Sequence, residues 1–309
     1  MQKAKSQSKV ALYYELTKPK IWYLLVFTAF GAAITASNIY NIPISAVTWI
    51  LMLSSVAAGS AAANTLTNYH DRDIDAIMER TKKRPLPSKR ISPPEKARNF
   101  GFMLAGLSLV MAFGLSFTTT LEQGIWATVF IGFGLVNNIL IYSYLLKRNS
   151  RTNIILGGLC GGAPPMIGWV AVTTAGLWSM GLVMAGLVFI WIPMHIWALT
   201  LHFKEDYNKV NVPMLTAVQS EKTSARIIAG STVMMVLFSI IPFFLTTDYG
   251  EPMMGQVYLW TAIASGMLMV ALSGWVVAKP TERASWTLFK FSSPYLTVLF
   301  IALMIDSAL

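Results

Sequence analysis

The stretch A-A-A-N-T-L-T-N-Y-H-D-R-D-I-D, residues 61–75, decides how the chain must be read. It starts as the tail of a long apolar run and ends on three aspartates within five residues. At 100° per residue, with Asn64 as zero, Asn68 falls at about 40°, Asp71 at about 340° and Asp75 at about 20°. Two amides and two carboxylates therefore share one helical face. Asp73 projects to about 180° on the same wheel and is the weaker candidate. Ionisable groups at membrane depth are costly and face a bundle interior or a wet cavity. Oxygen ligands of this kind suit Mg²⁺, which joins one or two carboxylates to substrate phosphates. A diphosphate substrate is the natural inference, although the solvated end of a helix would carry the same pattern and spacing alone leaves both open.

The rest of the chain establishes what that helix belongs to. Of 309 residues, 55% are apolar and 12% charged, about half the ~25% charge of a soluble domain, so the surplus apolar surface must face lipid. Runs long enough to cross a bilayer as helices, about 20 residues each, lie at 21–36, 44–66, 99–119, 124–146, 154–174, 177–201, 225–246, 255–278 and 286–308. The expectation is an all-α integral membrane protein, one domain over 1–309 with a short basic tail at 1–17. Nine transmembrane helices would surround a central cavity open to the cytoplasmic side.

With nine spans the connections alternate sides, and 23 of the 24 Lys and Arg residues then fall on one side. The exception is Lys290, inside the last span, while the opposite loops carry Glu122, Asp248 and Glu251. By the positive-inside rule the N-terminus is cytoplasmic and the C-terminus outside. The net charge of +10 is thus topological, which argues against a nucleic-acid partner. No secretory signal is apparent in M-Q-K-A-K-S-Q-S-K-V, residues 1–10, and a prokaryotic inner membrane is the simplest location. The lone Cys160 excludes a disulfide framework or a cysteine-based metal cluster.

The sixth span echoes the second: His195, His202 and Asp206 repeat the offsets of Asn64, Asp71 and Asp75. Two such stripes, four spans apart and ending on one membrane face, suggest a pseudo-repeat converging on one cavity. A histidine paired to a neighbouring helix is the plainer account of His195, and an interfacial side chain that of His202. Arg80 and Arg84 follow the first stripe, Lys147 and Arg148 the fourth span. Cations there would stabilise charge on a departing diphosphate. A P-loop, a dinucleotide glycine fingerprint, a serine nucleophile elbow and HExxH are all absent from the sequence, which argues against nucleotide-driven transport, nicotinamide chemistry and hydrolysis.

Three blocks carry a family resemblance. N-Y-H-D-R-D-I-D-A-I-M-E-R-T-K-K-R-P-L-P (68–87) resembles the first aspartate-rich motif of the UbiA-type intramembrane prenyltransferases, in particular their haem-farnesylating branch. Residues 142–169, with K-R, N-I and G-A-P-P-M-I-G-W, and residues 191–215, with P-M-H-I-W-A-L and D-Y-N-K-V-N-V-P-M-L, are similar to that branch's second and third blocks. The resemblance spans residues 17–216. It departs at two points: the family's motif asparagine is Thr67 here, with Asn64 and Asn68 on the same face, and Asp206 lacks a second aspartate.

The resemblance implies transfer of the farnesyl group of farnesyl diphosphate to a vinyl group of haem b, giving haem O. Asp71, Asp75 and Asn68 would hold Mg²⁺, and Arg80, Arg84, Lys147 and Arg148 the diphosphate. Asn64, Asn68, Tyr142, Asn153, His195 and Asp206 would contact substrate, with His195 toward haem b. Tyr142, Trp169 and Trp197 are candidates for cation–π stabilisation of an allylic cation. Haem O would pass to a haem A synthase or a terminal oxidase. The rivals are a related enzyme acting on a quinone precursor or lipid alcohol, and a non-catalytic transporter or haem-binding protein.

Overall fold

The chain forms a helix where sequence reading placed only a tail. In the computed structural model, which describes residues 8–309, the Ser8 hydroxyl accepts from the Ala11 amide at 3.2 Å and caps α1 (Lys9–Leu16). The tail residues Lys3 and Lys5 lie outside the described residues. Leu16, Leu86, Ile91 and Ala97 form a small core of their own outside the main bundle core, with Tyr13, Tyr69 and Phe100 packed on it. Arg90 clamps α1 to the following loop by donating to both Glu15 carboxylate oxygens at 2.9 and 2.8 Å.

The membrane-crossing helices follow in sequence. α2 (Pro19–Tyr40), α3 (Ala46–His70), the short α4 (Arg72–Ile77) and α5 (Glu95–Gly114) come first. α6 (Leu121–Val136) continues as a π-helix over Asn137–Leu146. The fifth crossing is pieced together from α7 (Asn153–Gly157), a 3₁₀ turn (Gly158–Gly162) and α8 (Ala163–Val170), as its glycines and prolines require. α9 (Leu182–His202), α10 (Lys204–Lys209) and α11 (Leu215–Val218) lead to α12 (Glu221–Phe238), α13 (Gln256–Ala278) and α14 (Glu282–Asp306). Nine helical segments among the described residues are long and apolar enough to cross a membrane, and each overlaps one of the nine runs read from the sequence.

Small residues let the central helices meet closely. Ala29, Ala32, Ala33 and Ala36 bury one face of α2. A Cβ on Gly168 of α8 would stand 2.0 Å from the Ala29 carbonyl oxygen, so the two helices touch backbone to backbone. Large apolar side chains such as Phe102, Val110, Leu237 and Trp260 are exposed on the outer helices. Such a surface is stable only against lipid, and the chain is a multi-pass membrane protein.

Candidate active site

α3 ends at His70, and Asp71 stands at the joint before α4 with φ −86° and ψ 4°. The joint keeps helical spacing: the Asp71 amide donates to the Thr67 carbonyl at 2.9 Å, and the Asp75 amide to the Asp71 carbonyl at 2.8 Å. Both carboxylates therefore stay on one side, 2% and 4% exposed. Burying two charges this fully requires cationic partners, and the structure supplies one to each.

Lys147 donates to Asp71 Oδ2, and Arg84 donates to Asp75 Oδ2 at 2.8 Å. Lys147 is delivered by the π-helix, its amide bonding the Tyr142 carbonyl five residues back at 2.8 Å. Asn153, fully buried, donates from Nδ2 to the Lys147 carbonyl at 3.2 Å and so holds the end of that turn. Burial works against the ammonium charge of Lys147, but Tyr142 and the Asp71 carboxylate outweigh it and hold the pKa above the ordinary lysine value. Asp71 Oδ1 is buried and accepts no hydrogen bond, with Arg148 Nη2 standing off at 3.8 Å. Arg148 is mainly engaged elsewhere, donating to both oxygens of Asp73 at 2.8 and 2.7 Å and to the His70 carbonyl at 3.1 Å. That hydrogen-bonded pair holds the Asp73 carboxyl at about 2.

Asn68 is buried between the pair and α1, donating to the Leu16 carbonyl at 2.8 Å and accepting from Arg84 at 3.5 Å. Thr67 turns to Asn138 Oδ1 at 3.1 Å and Ser143 Oγ at 3.0 Å. Asn64 lines a half-open pocket of about 100 Å³ among α2, α3, α6 and α8, together with Ser60, Asn138, Phe130 and Ile167.

Lys18, which the sequence places at the start of the first span and gives no role at the site, joins this group. It precedes α2 in a left-handed conformation (φ 54°) that costs a non-glycine residue energy. Burial lowers its pKa to about 7, helped by the nearby Arg84 and Lys147 and opposed by Asp75 and Asp71. The Lys-Pro pair at 18–19 was the available signal, since proline fixes the helix start and leaves the lysine at the mouth of the bundle.

The second stripe is arranged differently from the first. Asp206, buried at 7% exposure, accepts from the amides of Glu79 at 3.3 Å and Arg80 at 3.2 Å, bracing the turn after α4. Arg80 lies over the Phe203 ring, 5.3 Å from its centroid, with Nη2 3.4 Å from the Tyr207 hydroxyl. His202 donates to the Glu282 carbonyl at 3.1 Å. His195 is clasped between Trp191 and Phe289, with ring centroids 4.1 and 4.4 Å away. Its Nδ1 lies 2.6 Å from Ser292 Oγ, and that hydroxyl donates to the Phe289 carbonyl at 2.7 Å. Nδ1 must then carry the proton, leaving the lone pair on Nε2.

Among the candidate aromatics, Tyr142 packs on Gly157 with Lys147 Nζ 5.7 Å from its ring centroid, and the indole N–H of Trp197 is buried without a partner. Trp169 corrects the sequence expectation. Its indole donates to the Ala175 carbonyl at 2.9 Å and its ring meets Tyr40 at the far end of α2, so it packs the end of the bundle opposite Asp71 and Asp75.

No group of three or more His, Cys, Asp or Glu side chains gathers around a metal position among the described residues. Two carboxylates, one with an unsatisfied buried oxygen, nevertheless fit Mg²⁺, which takes few protein ligands and completes its shell with water and phosphate oxygens.

A buried carboxylate pair ringed by lysines and arginines, at the end of a membrane helix and beside an apolar cavity, defines an intramembrane prenyltransferase. Residues 24–302 match the UbiA prenyltransferase family, and the chain belongs to it. The Protoheme IX farnesyltransferase 2 of Cenarchaeum symbiosum is 72% identical over 100% of this chain and 99% of its own length. Among solved structures, one described as digeranylgeranylglyceryl phosphate synthase superposes with a TM-score of 0.74 at 19% identity, covering 98% of this chain and 99% of its own. A UbiA homolog from Archaeoglobus fulgidus bound to DMAPP and Mg²⁺ does so at 0.61 and 15%, covering 96% and 98%.

Proposed function

We propose that the chain transfers the farnesyl group of farnesyl diphosphate to a vinyl group of haem b, with addition of water, to give haem O and diphosphate. The observation that carries this reading is the cage of Lys147, Arg84 and Lys18 around Asp71 and Asp75, with Asp71 Oδ1 left open. The full-length relative named as a protoheme IX farnesyltransferase supports the choice of acceptor.

Asp71 and Asp75 are the side chains that would hold Mg²⁺, with Asn68 Oδ1 beside them; the Archaeoglobus homolog's bound DMAPP and Mg²⁺ supports this. The ion, when bound, neutralises diphosphate charge as the allylic C–O bond breaks. Lys18, Arg84 and Lys147 bind the same oxygens and stabilise the negative charge that collects there. Arg80 and Arg148 stand behind them, and Asn153 and Asp206 fix the turns that carry Lys147 and Arg80.

The bond electrons leave with the diphosphate, so the farnesyl C1 becomes cationic and must be kept from water. The largely apolar pocket beyond Asn64 is where the isoprenoid tail would lie, its aliphatic and aromatic lining shielding the reacting carbon. The vinyl π electrons then form the new C–C bond, and water captures the resulting cation with loss of a proton, which yields the hydroxyl group. His195, with Nδ1–H tied to Ser292, presents its Nε2 lone pair to haem b. The lopsided Lys and Arg distribution supports an inner-membrane protein with the N-terminus and the cavity cytoplasmic and the C-terminus outside. A haem A synthase or terminal oxidase would consume the product.

The test is mass spectrometry of haem after incubating the purified protein with haem b, farnesyl diphosphate and Mg²⁺. Haem should gain a hydroxyfarnesyl group only with metal present and Asp71 intact. Prenylation of an aromatic acid or lipid alcohol, with haem untouched, would move the assignment to another acceptor.

A further inference from the structure

Lys290 is the cation set farthest into any membrane-crossing helix among the described residues. It lies eight residues past the start of α14, about 12 Å along the axis. Its side chain is exposed, and it forms no ion pair among the described residues. The ammonium stands 5.2 Å from the centroid of the Trp286 ring. That ring belongs to a ladder joining α9 and α14: His202, Trp286, Phe289, His195 and Trp191 stack in order, with centroids 4.7, 5.1, 4.4 and 4.1 Å apart. The lysine is thus one residue from Phe289, whose ring covers His195.

The height of Lys290 follows from the register of α2 and α14, which run parallel. Phe300 packs on Gly31 and Phe27, and Asn38 Nδ2 donates to the Met304 carbonyl at 3.2 Å. Carried toward the cytoplasmic side, this register brings Lys290 level with the first turn of α2. Lys18 precedes that turn, and Asn68 is tied to Leu16 just before it. An exposed cation at the rim of α14 therefore shares its level with the entrance to the carboxylate site.

We propose that Lys290 binds a carboxylate of the tetrapyrrole acceptor and so orients it; this rests on the haem reading above. In haem b the two propionates lie on the edge of the ring away from the vinyl groups. Anchoring a propionate at the lipid-facing rim directs the vinyl edge inward, toward the diphosphate. The site's own Arg84, Lys147 and Arg148 are already paired to aspartates, whereas Lys290, at the same level on α14, has no carboxylate partner among the described residues. Its aromatic support suits a flat apolar ring carrying an acid at its edge.

The test uses the full chain in nanodiscs of zwitterionic lipid, titrated with haem b and with haem b dimethyl ester and followed by absorbance. Wild type should bind the free acid about five- to tenfold more tightly than the diester, the scale of a partly screened ion pair. K290M should lose that preference and raise the KM for haem b with kcat held, and K290R should restore both. A K290M protein that still discriminates acid from ester overturns the proposal. So does a preference that appears only when anionic lipid is present, because the lysine would then be reading headgroups. A wild-type protein that discriminates acid from ester yet leaves haem unprenylated sinks the farnesyl-transfer reading while sparing the lysine's role; one that binds no haem removes both.

Discussion

Replacing Asp71 with Asn keeps the shape of the side chain and removes its charge, which isolates what the pair with Lys147 contributes. Lys147 is 14% exposed and Asp71 3%, so solvent screens neither well. Breaking a buried pair by removing one partner costs about 3–5 kcal/mol, because the other charge stays behind uncompensated. The two single variants should differ. In D71N the Lys147 ammonium loses the one ion pair it makes among the described residues, and the cost belongs near the top of that range. In K147M Asp71 keeps Arg148 Nη2 at 3.8 Å, so the cost belongs near about 3 kcal/mol. The double variant D71N/K147M leaves no stranded charge and should be no less stable than D71N alone, which, with single costs near about 5 and about 3 kcal/mol, is a coupling of about 3 kcal/mol or more. Unfolding followed by tryptophan fluorescence in mixed micelles of increasing denaturing detergent would give all four corners of the cycle. Strictly additive costs would refute the reasoning, since they would mean that the two side chains do not sense one another. Turnover should be lost in all three variants, whatever their stability.

Diphosphate binding should take up a proton. Burial and Arg84 lower Lys18 to about 7, so at pH 8 the empty site holds it largely neutral, and an arriving dianion restores the charge. Calorimetry in buffers of different ionisation enthalpy should report this uptake in wild type and not in K18M. The sign for folding is the reverse of a salt-bridged lysine: between about pH 7 and its ordinary value of 10.5 the unfolded chain holds a proton that the folded chain lacks, so this residue makes stability rise with pH there. For packing, Gly168→Ala drives a methyl into the Ala29 backbone at 2.0 Å and should cost about 1–3 kcal/mol or more. Gly132→Ala, inside α6 with nothing within 4 Å, should hold or slightly raise the thermal midpoint. Equal midpoints for the two variants would contradict the close crossing.

The nine crossings were legible because a lipid-facing helix must be apolar all along its length, and composition alone reports that. The facing of Asp71 and Asp75 was legible because the joint at Asp71 keeps the four-residue hydrogen-bond step, so a wheel drawn through it stays true. Three features were hidden for definable reasons. α1 is held by tertiary contacts of Leu16 and by Arg90, and a short mixed segment gives no periodic signal of this. Lys18 looked like one more topological charge, because its place beside Arg84 depends on a left-handed backbone residue. Asp206 matched a ligand spacing, yet its oxygens are occupied by the amides of 79 and 80, a partnership across 127 residues that no local pattern announces. Trp169 misled because an indole in an apolar motif reads the same at either end of a helix.

The π-helix at Asn137–Leu146 makes this enzyme more vulnerable to indels than to substitutions at one place. Its wide turns set the angle at which Lys147 leaves the bundle, and its outer residues Leu140 and Leu145 are exposed on the bundle surface, where many apolar replacements are equivalent. Loss of a single codon from this stretch would keep the span long and apolar enough to insert, yet break the five-residue hydrogen-bond step and turn Lys147 away from Asp71. Such a protein would reach the membrane, fold its remaining helices and be catalytically silent. A frame-preserving one-residue deletion here is therefore a harsher lesion than its hydropathy suggests.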